Sequence, residues 1–236
     1  MKHYLSMGFG VNSVALYLLM QDLGMEFEAV YVDHGADWPE TAQYVEMFRA
    51  THPVTVIIPE YEGHSSLLEY CKMRRMTPSR VHRWCTSRFK VRPLNAYFET
   101  PCFVHLGIDS GEIRRARFTS EGGRENRYLL IEEGIDRDGC KNLIRRHGLV
   151  VPPKSGCWFC PYQRLDQWRR LRRDHPDLFC EAQKLEVAQN EYRTEVGKAP
   201  FYIRGESTPL GSLINDRQAS LPGFEEVDYP PCQCAL

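Results

Sequence analysis

The chain has 236 residues, 42% of them hydrophobic, which is enough for one sizeable core. Its 30 Lys and Arg against 31 Asp and Glu leave a formal net charge of −1, excluding a histone-like polycation or an acidic disordered tail as a description of the whole. No apolar run approaches the roughly 20 residues of a membrane span, and Gly8, Gly10 and Asn12 interrupt any signal-peptide core, so a soluble cytoplasmic protein without membrane partners is expected.

In chain order, residues 3–8 read as a short apolar strand ending in glycine. Residues 12–23 follow as a helix, with Val14, Ala15, Leu18 and Leu19 at helical spacing, Asn12 as its cap and Gly24 as its stop. FEAVYV at 27–32 is the continuous apolar run of a strand covered on both faces. Pro39 opens a second helix over 39–50, and 54–58 is a third strand. Helices over 65–75 and 89–98 lead to a fourth strand at 102–108 and a fifth at 128–131. A helix over 136–147 stops at Gly148, and Pro152 and Pro153 mark a break. Beyond it come a Cys-x-x-Cys turn, Arg-rich helices over 163–173 and 176–196, and a loop-rich tail. The alternation predicts an α/β fold: a doubly wound parallel sheet, Rossmann-like, over 1–150. A Cys/Arg-rich, mostly helical extension over 151–236 would pack on the same domain.

SMGFGVNS sets Ser6, Gly8, Gly10, Asn12 and Ser13 between the first strand and its helix. A helix N-terminus there offers unpaired N–H groups and the positive end of its dipole, and glycines let a phosphate approach the backbone. The Walker loop is excluded by the missing Gly-Lys-Ser/Thr, and the Rossmann fingerprint finds Ser13 where its third glycine belongs. A plain strand–helix turn is the alternative.

Nine cysteines without secretory features point to metal, iron–sulfur or redox chemistry rather than disulfides, with Cys71, Cys102 and Cys180 read as small buried hydrophobes. Cys157-Trp158-Phe159-Cys160 puts two thiols on one turn, a spacing that zinc and iron–sulfur clusters share. RLDQWRRLRRDHP at 164–176, with Arg145 and Arg146 upstream, offers either a nucleic-acid surface or a solvated helix face.

SMGFGVNSVAL followed by VDHGADWPETAQYV from Val32 resembles the adenine nucleotide α-hydrolase (PP-loop) superfamily, in its phosphoadenosine phosphosulfate (PAPS) reductase branch. CTSRFKVRPL at 85–94 is similar to that branch's Cys-x-x-Arg-Lys-x-x-Pro-Leu segment with one residue inserted. GIDSGEIRRARF is similar to its Arg loop, and SGCWFCPY to its Gly-Cys-x-x-Cys element. The resemblance implies that Ser6, Gly8, Gly10, Asn12 and Ser13 cradle phosphate or pyrophosphate, and that Asp33 and Gly35 line an adenine and ribose crevice. Arg88, Lys90, Arg114 and Arg115 would neutralise phosphate or sulfate. It also implies a 4Fe–4S cluster, with zinc the lesser alternative, on Cys85, Cys157 and Cys160. Cys140, on the helix just before the turn, is taken as the fourth ligand; Cys180, Cys71 or no protein ligand stay open.

Three functions follow. The first is an ATP pyrophosphatase/sulfurtransferase that adenylylates an acceptor and passes sulfur to it, in the style of DNA phosphorothioation or tRNA thiolation. The second is a thiol-dependent PAPS or APS reductase releasing sulfite, for which Phe9-Gly10 speaks and in which Cys232 or Cys234 of YPPCQCAL would attack. The third is a non-catalytic, metal-stabilised binding module. ATP or PAPS is the expected substrate, with Mg2+ beside ATP; a cysteine desulfurase, a thioredoxin-like protein or nucleic acid is the expected partner, and the oligomeric state stays open. The chain departs from the branch at Trp84-Cys85, where cluster-bearing reductases have adjacent cysteines, and at YPPCQCAL, where they have Glu-Cys-Gly. Asn12, a catalytic candidate, stands where ATP-splitting relatives often carry Asp.

Overall fold

The computed structural model describes residues 1–117, 121–205 and 208–213. Its sheet comprises β1 (Lys2–Met7), β2 (Glu28–Val32), β3 (Thr55–Ile57), β4 (Cys102–Leu106) and β5 (Arg124–Arg127). The helices are α1 (Val11–Asp22), α2 (Pro39–Arg49), α3 (Leu67–Met73), α4 (Trp84–Thr86) and α5 (Arg92–Tyr97), the last two joined by a π turn (Ser87–Val91). They continue as α6 (Leu129–Glu132), α7 (Arg137–Arg146), α8 (Leu165–Asp174), α9 (Pro176–Glu195) and α10 (Leu210–Leu213).

All four strand pairings are parallel, in the order β3-β2-β1-β4-β5. The chain builds outward from β1 to β3, then returns to place β4 on the other side of β1. The order therefore reverses between β1 and β4, and the connections there diverge to leave a crevice at the carboxyl ends. Side chains alternate across the sheet, and both faces are covered. Leu5, Met7 and Tyr31 join α1, α2 and α7 in one core, while Tyr4, Val30, Val32 and Val104 face Leu94 and Phe98 on the other side. With the sheet on one flank and α7 on the other, α1 is buried at every position from Val11 to Met20.

A third core closes over the carboxyl ends of the strands. It joins Ala36, Trp38, Tyr70 and Phe89 to Trp158, Phe159, Trp168 and Phe179, so residues from both sides of the Pro152-Pro153 break share one interior. Burial of a large apolar side chain contributes about 1.5–3 kcal/mol, which makes this core a strong tie.

Two expectations are corrected. Residues 128–131 are not the fifth strand: Tyr128 precedes the α6 turn, and Leu130 is fully buried. The strand is the preceding RENR, half-buried at the sheet edge, where only one side is hydrogen-bonded and polar side chains are tolerated. Asn12 does not cap α1: Gly10 is the cap residue, in extended backbone, and Asn12 lies inside the first turn.

Candidate functional site

A cleft of about 1080 Å³, its mouth included, opens where the strand order reverses. Its floor comes from the ends of three adjacent strands: Ser6 and Met7 of β1, Tyr31 and Val32 of β2, and Leu106, Gly107 and Ile108 at β4. Gly8, Gly10, Val11, Asn12 and Ser13 form one wall. Within it the Gly8 N–H donates to Ser13 Oγ at 3.3 Å, and that hydroxyl donates to the Gly10 carbonyl at 3.1 Å. The loop turns through Phe9, whose φ of 50° is a left-handed value rare outside glycine. Its ring is fully buried, edge-on to Tyr31 at 5.0 Å and Phe48 at 5.8 Å. That burial holds the loop down and leaves its glycines facing the cleft.

Four cations line the same space: Lys90, Arg115, Arg137 and Lys154. Asn12 sits among charges. Its amide donates to Asp109 at 2.9 Å and Glu112 at 3.3 Å, while its carbonyl oxygen accepts from Arg137 at 3.4 Å. Glu112 in turn pairs with Arg115. The remaining wall is Pro153-Lys154-Ser155-Gly156, close enough that a Cβ on Gly10 would lie 2.9 Å from Ser155 Oγ. A helix N-terminus, close-approach glycines and converging cations are the chemistry that suits an anion, and the apolar floor suits a planar ring.

Residues 2–106 match the phosphoadenosine phosphosulfate reductase domain family. The fold superposes on the phosphoadenylyl-sulfate (PAPS) reductase of Candida auris, solved as a phosphate complex. The TM-score is 0.53 and the identity 17%, covering 67% of this chain and 82% of that one. Over residues 2–106 the chain is similar to that domain family. Two uncharacterized proteins of Methanocaldococcus jannaschii, MJ0973 and MJ0066, are 24% and 22% identical over 72% and 76% of this chain. The matches span only 44% and 39% of those longer relatives.

The second loop turns from the cleft toward the thiols. Asp33 Oδ1 accepts from the Gly35 N–H at 2.9 Å, a local turn in which Gly35 takes a φ of 67°. Neither residue lines the cleft; Tyr31 and Val32 do so in their place. Main-chain bonds join this loop to the Cys-x-x-Cys turn: Trp38 N–H donates to the Gly156 carbonyl at 3.2 Å and Trp158 N–H to the Ala36 carbonyl at 3.1 Å. His34 is buried, its Nε2 lying 3.6 Å from Cys157 Sγ and 3.5 Å from Asp37 Oδ1. Burial, only partly countered by Asp37, pushes His34 down to about 4. Tyr31 donates its hydroxyl proton to Asp37 at 2.5 Å. Burial disfavours the Asp37 carboxylate, yet His34, Lys90 and that hydrogen bond together hold its pKa below the usual value.

The structure brings Cys85, Cys157 and Cys160 into one apolar cluster and separates them from Cys140, which packs under α1 in a different core. Nearness to the turn in sequence misplaces Cys140, because α7 turns that side chain inward toward α1. The neighbour that takes its place is Cys71, fully buried and close enough to Cys85 to raise its own pKa. Burial pushes every thiol of the group up, Cys160 to about 11. Lys90, beside them, is held above its ordinary value: burial lowers it, but Asp37, Cys157, Cys85 and Cys160 outweigh that. Among the described residues, no group of three or more His, Cys, Asp or Glu is arranged to hold a metal ion.

Of the other expected residues, Ser6, Gly8, Gly10, Asn12, Ser13, Lys90 and Arg115 meet at the cleft. Arg114 is exposed and Arg88 lies against aromatic rings, both outside the lining. Cys232 and Cys234 fall outside the described residues. Sequence reasoning missed Arg137, Gly107, Lys154 and Ser155. Ser155 heads the SGCWFCPY segment and Gly107 the GIDSGEIRRARF segment, which is the signal that pointed to them; Arg137 and Lys154 lie outside both.

Among the described residues, no helix is long and apolar enough to cross a membrane.

Proposed function

We propose that the cleft binds an adenine nucleotide with its phosphates on the Gly8–Ser13 loop, and that the protein is an ATP pyrophosphatase/sulfurtransferase of PAPS reductase-like type. The observation that carries this reading is the convergence of the glycine loop with Lys90, Arg115, Arg137 and Lys154 on one cleft at the sheet's reversal point. Four cations and a helix N-terminus suit a polyphosphate better than a single phosphate. The apolar slot between Val32, Leu94, Leu106 and Ile108 suits the base.

An acceptor oxygen attacks the α-phosphorus; the bond to the β-phosphate oxygen breaks, and pyrophosphate leaves. The loop N–H groups and the four cations stabilise the charge that gathers on the phosphate oxygens, a preorganised electrostatic role. A persulfide sulfur supplied by a donor protein then attacks the activated acceptor and AMP leaves with the acceptor oxygen; a second thiol of the donor attacks the remaining S–S bond, closing a disulfide on the donor and leaving the outer sulfur on the acceptor. The thiol turn follows Gly156 directly, so sulfur chemistry and nucleotide share a wall.

The test is pyrophosphate released from ATP, or exchanged into it, by the full chain. The reading requires that activity, and a loss of tenfold or more in Gly8→Ala and Arg137→Ala. Sulfite formed from PAPS with a thioredoxin-like reductant, without pyrophosphate, would establish the reductase instead, the reading that Phe9-Gly10 favours.

A further inference from the structure

Between Tyr70 and Phe98 the sequence holds eight cations (Lys72, Arg74, Arg75, Arg80, Arg83, Arg88, Lys90 and Arg92) and no Asp or Glu. The structure divides them. Lys72 pairs with Glu181 at 2.7 Å, Arg75 with Glu195 at 2.8 Å, and Arg74 with Glu62. Lys90 faces the cleft. Three of the rest lie over rings: Arg88 over Tyr61 at 4.9 Å and Trp84 at 5.6 Å, Arg92 over Tyr61 at 5.8 Å, and Arg80 over Tyr162 at 5.9 Å. Among the described residues, none of these three pairs with a carboxylate. Arg80 and Arg92 are exposed, as is His82, and Val81 between them is 82% exposed.

A guanidinium beside a ring with no acid to pair with keeps its full charge. One edge of Arg88 is already used, since Nη1 donates to the Tyr70 hydroxyl at 3.0 Å. Cations set among aromatic rings suit a partner that carries both anionic groups and planar bases. Rings and guanidinium planes that accept bases, next to cations that accept phosphates, are the elements of single-strand recognition. We propose that this face binds a single-stranded nucleic acid.

The helical run from Trp84 to Tyr97 ties the face to the cleft. Residues four apart share a side of it. Cys85 and Phe89 enter the third core, Lys90 and Leu94 line the cleft, and Arg88 and Arg92 carry the rings. A strand bound on this face lies on the same helical run that walls the nucleotide site. Its role as sulfur acceptor rests on the sulfur-transfer reading; its binding does not.

Fluorescence anisotropy of the full chain tests this, with labelled mixed-sequence DNA and RNA single strands of about 20 nucleotides and the matching duplex at about 50 mM salt. Single strands should bind more tightly than the duplex. Arg80→Glu with Arg92→Glu, both at exposed positions, should weaken binding about tenfold or more and lower the salt slope by about two. Trp84→Ala should weaken it by about tenfold. Arg145→Glu with Arg146→Glu, on exposed α7 positions, should leave it within about twofold. Circular dichroism checks that each variant folds. The proposal is overturned by no single-strand binding, by equal or tighter duplex binding, or by an equal loss in the α7 control. Competition by polyglutamate as strong as by oligonucleotide would also overturn it, in favour of an acidic protein. Calorimetry with ATP separates the two readings, because Arg80 and Arg92 do not line the cleft. Lost oligonucleotide binding with ATP retained concerns this face, and absent ATP binding with oligonucleotide retained concerns the cleft.

Discussion

Gly107 follows β4 and lies against the first turn of α1. A Cβ there would sit 2.8 Å from Ser13 N, 2.9 Å from Ser13 Cα and 3.0 Å from the Asn12 carbonyl carbon. All three are main-chain atoms. On one side Leu106 is registered against Ser6 in the sheet, and on the other α1 is buried throughout, so neither wall can yield by a rotamer change. Ordinary carbon contacts lie near 3.5–4.0 Å, so the start of α1 must retreat by roughly 0.5–1 Å. Overpacking of this kind costs about 1–3 kcal/mol, and a clash against backbone belongs at the upper end, ~3 kcal/mol. The same retreat moves Ser13 and its neighbouring amides, so nucleotide affinity should fall about tenfold or more. Gly8 makes the contrast. It lines the cleft, yet a Cβ there meets nothing within 4 Å. Gly8→Ala should keep stability within about 0.5 kcal/mol while its methyl obstructs the phosphate, again weakening binding about tenfold. Urea melts give the stabilities and calorimetry the affinities. A Gly107→Ala chain that melts with the wild type, or a Gly8→Ala chain that loses as much stability as Gly107→Ala, would refute the reasoning.

Asn12→Asp sets a third carboxylate against Asp109 and Glu112, where the amide now donates to both. It should cost about 2–3 kcal/mol at neutral pH, and an unchanged urea midpoint would contradict that. His105 is buried, and burial, with smaller contributions from His3 and Arg127, lowers it from 6.5 to about 4. Between those values the unfolded chain takes a proton that the folded chain refuses. Stability is therefore full above pH 6.5 and falls as pH drops toward about 4, by up to about 3 kcal/mol from this group. His105→Gln should flatten that fall; a pH slope indifferent to the substitution would contradict the assignment. Iodoacetamide at mildly alkaline pH should modify exposed Cys180 before Cys71, Cys140 or Cys157, whose thiols burial pushes up. Peptide mass mapping that found Cys157 labelled as fast as Cys180 would contradict the buried thiol turn.

The sheet was legible where strands are covered on both faces, because such strands must be apolar throughout: FEAVYV and CFVHL announce β2 and β4. β5 was not, because an edge strand half-open to water carries no apolar signature, and the Leu129-Leu130-Ile131 run beside it imitates one. The glycine loop declared itself through local chemistry, with residue types and position all pointing to an anion. The cations that complete the cleft did so only in part. Arg115 and Lys90 are reached through the quoted motifs, but Arg114 and Arg88 nearby go elsewhere, since neighbours on a turn or helix point in different directions. Arg137 carries no signal in isolation and reaches the cleft through the packing of α7 on α1; Gly107 heads the GIDSGEIRRARF segment, but its place against α1 comes from the pairing of β4 with β1. Nearness in sequence likewise favoured Cys140 over Cys71, and packing reversed it.

The most direct measurement is calorimetric titration of the full chain with ATP, AMP and PAPS, repeated on Gly8→Ala. At least one of the three should bind at one site per chain, and the glycine substitution should weaken it without altering the melt. A chain that binds none of them, or binds one with an affinity indifferent to Gly8, would show that the cleft is not a nucleotide site.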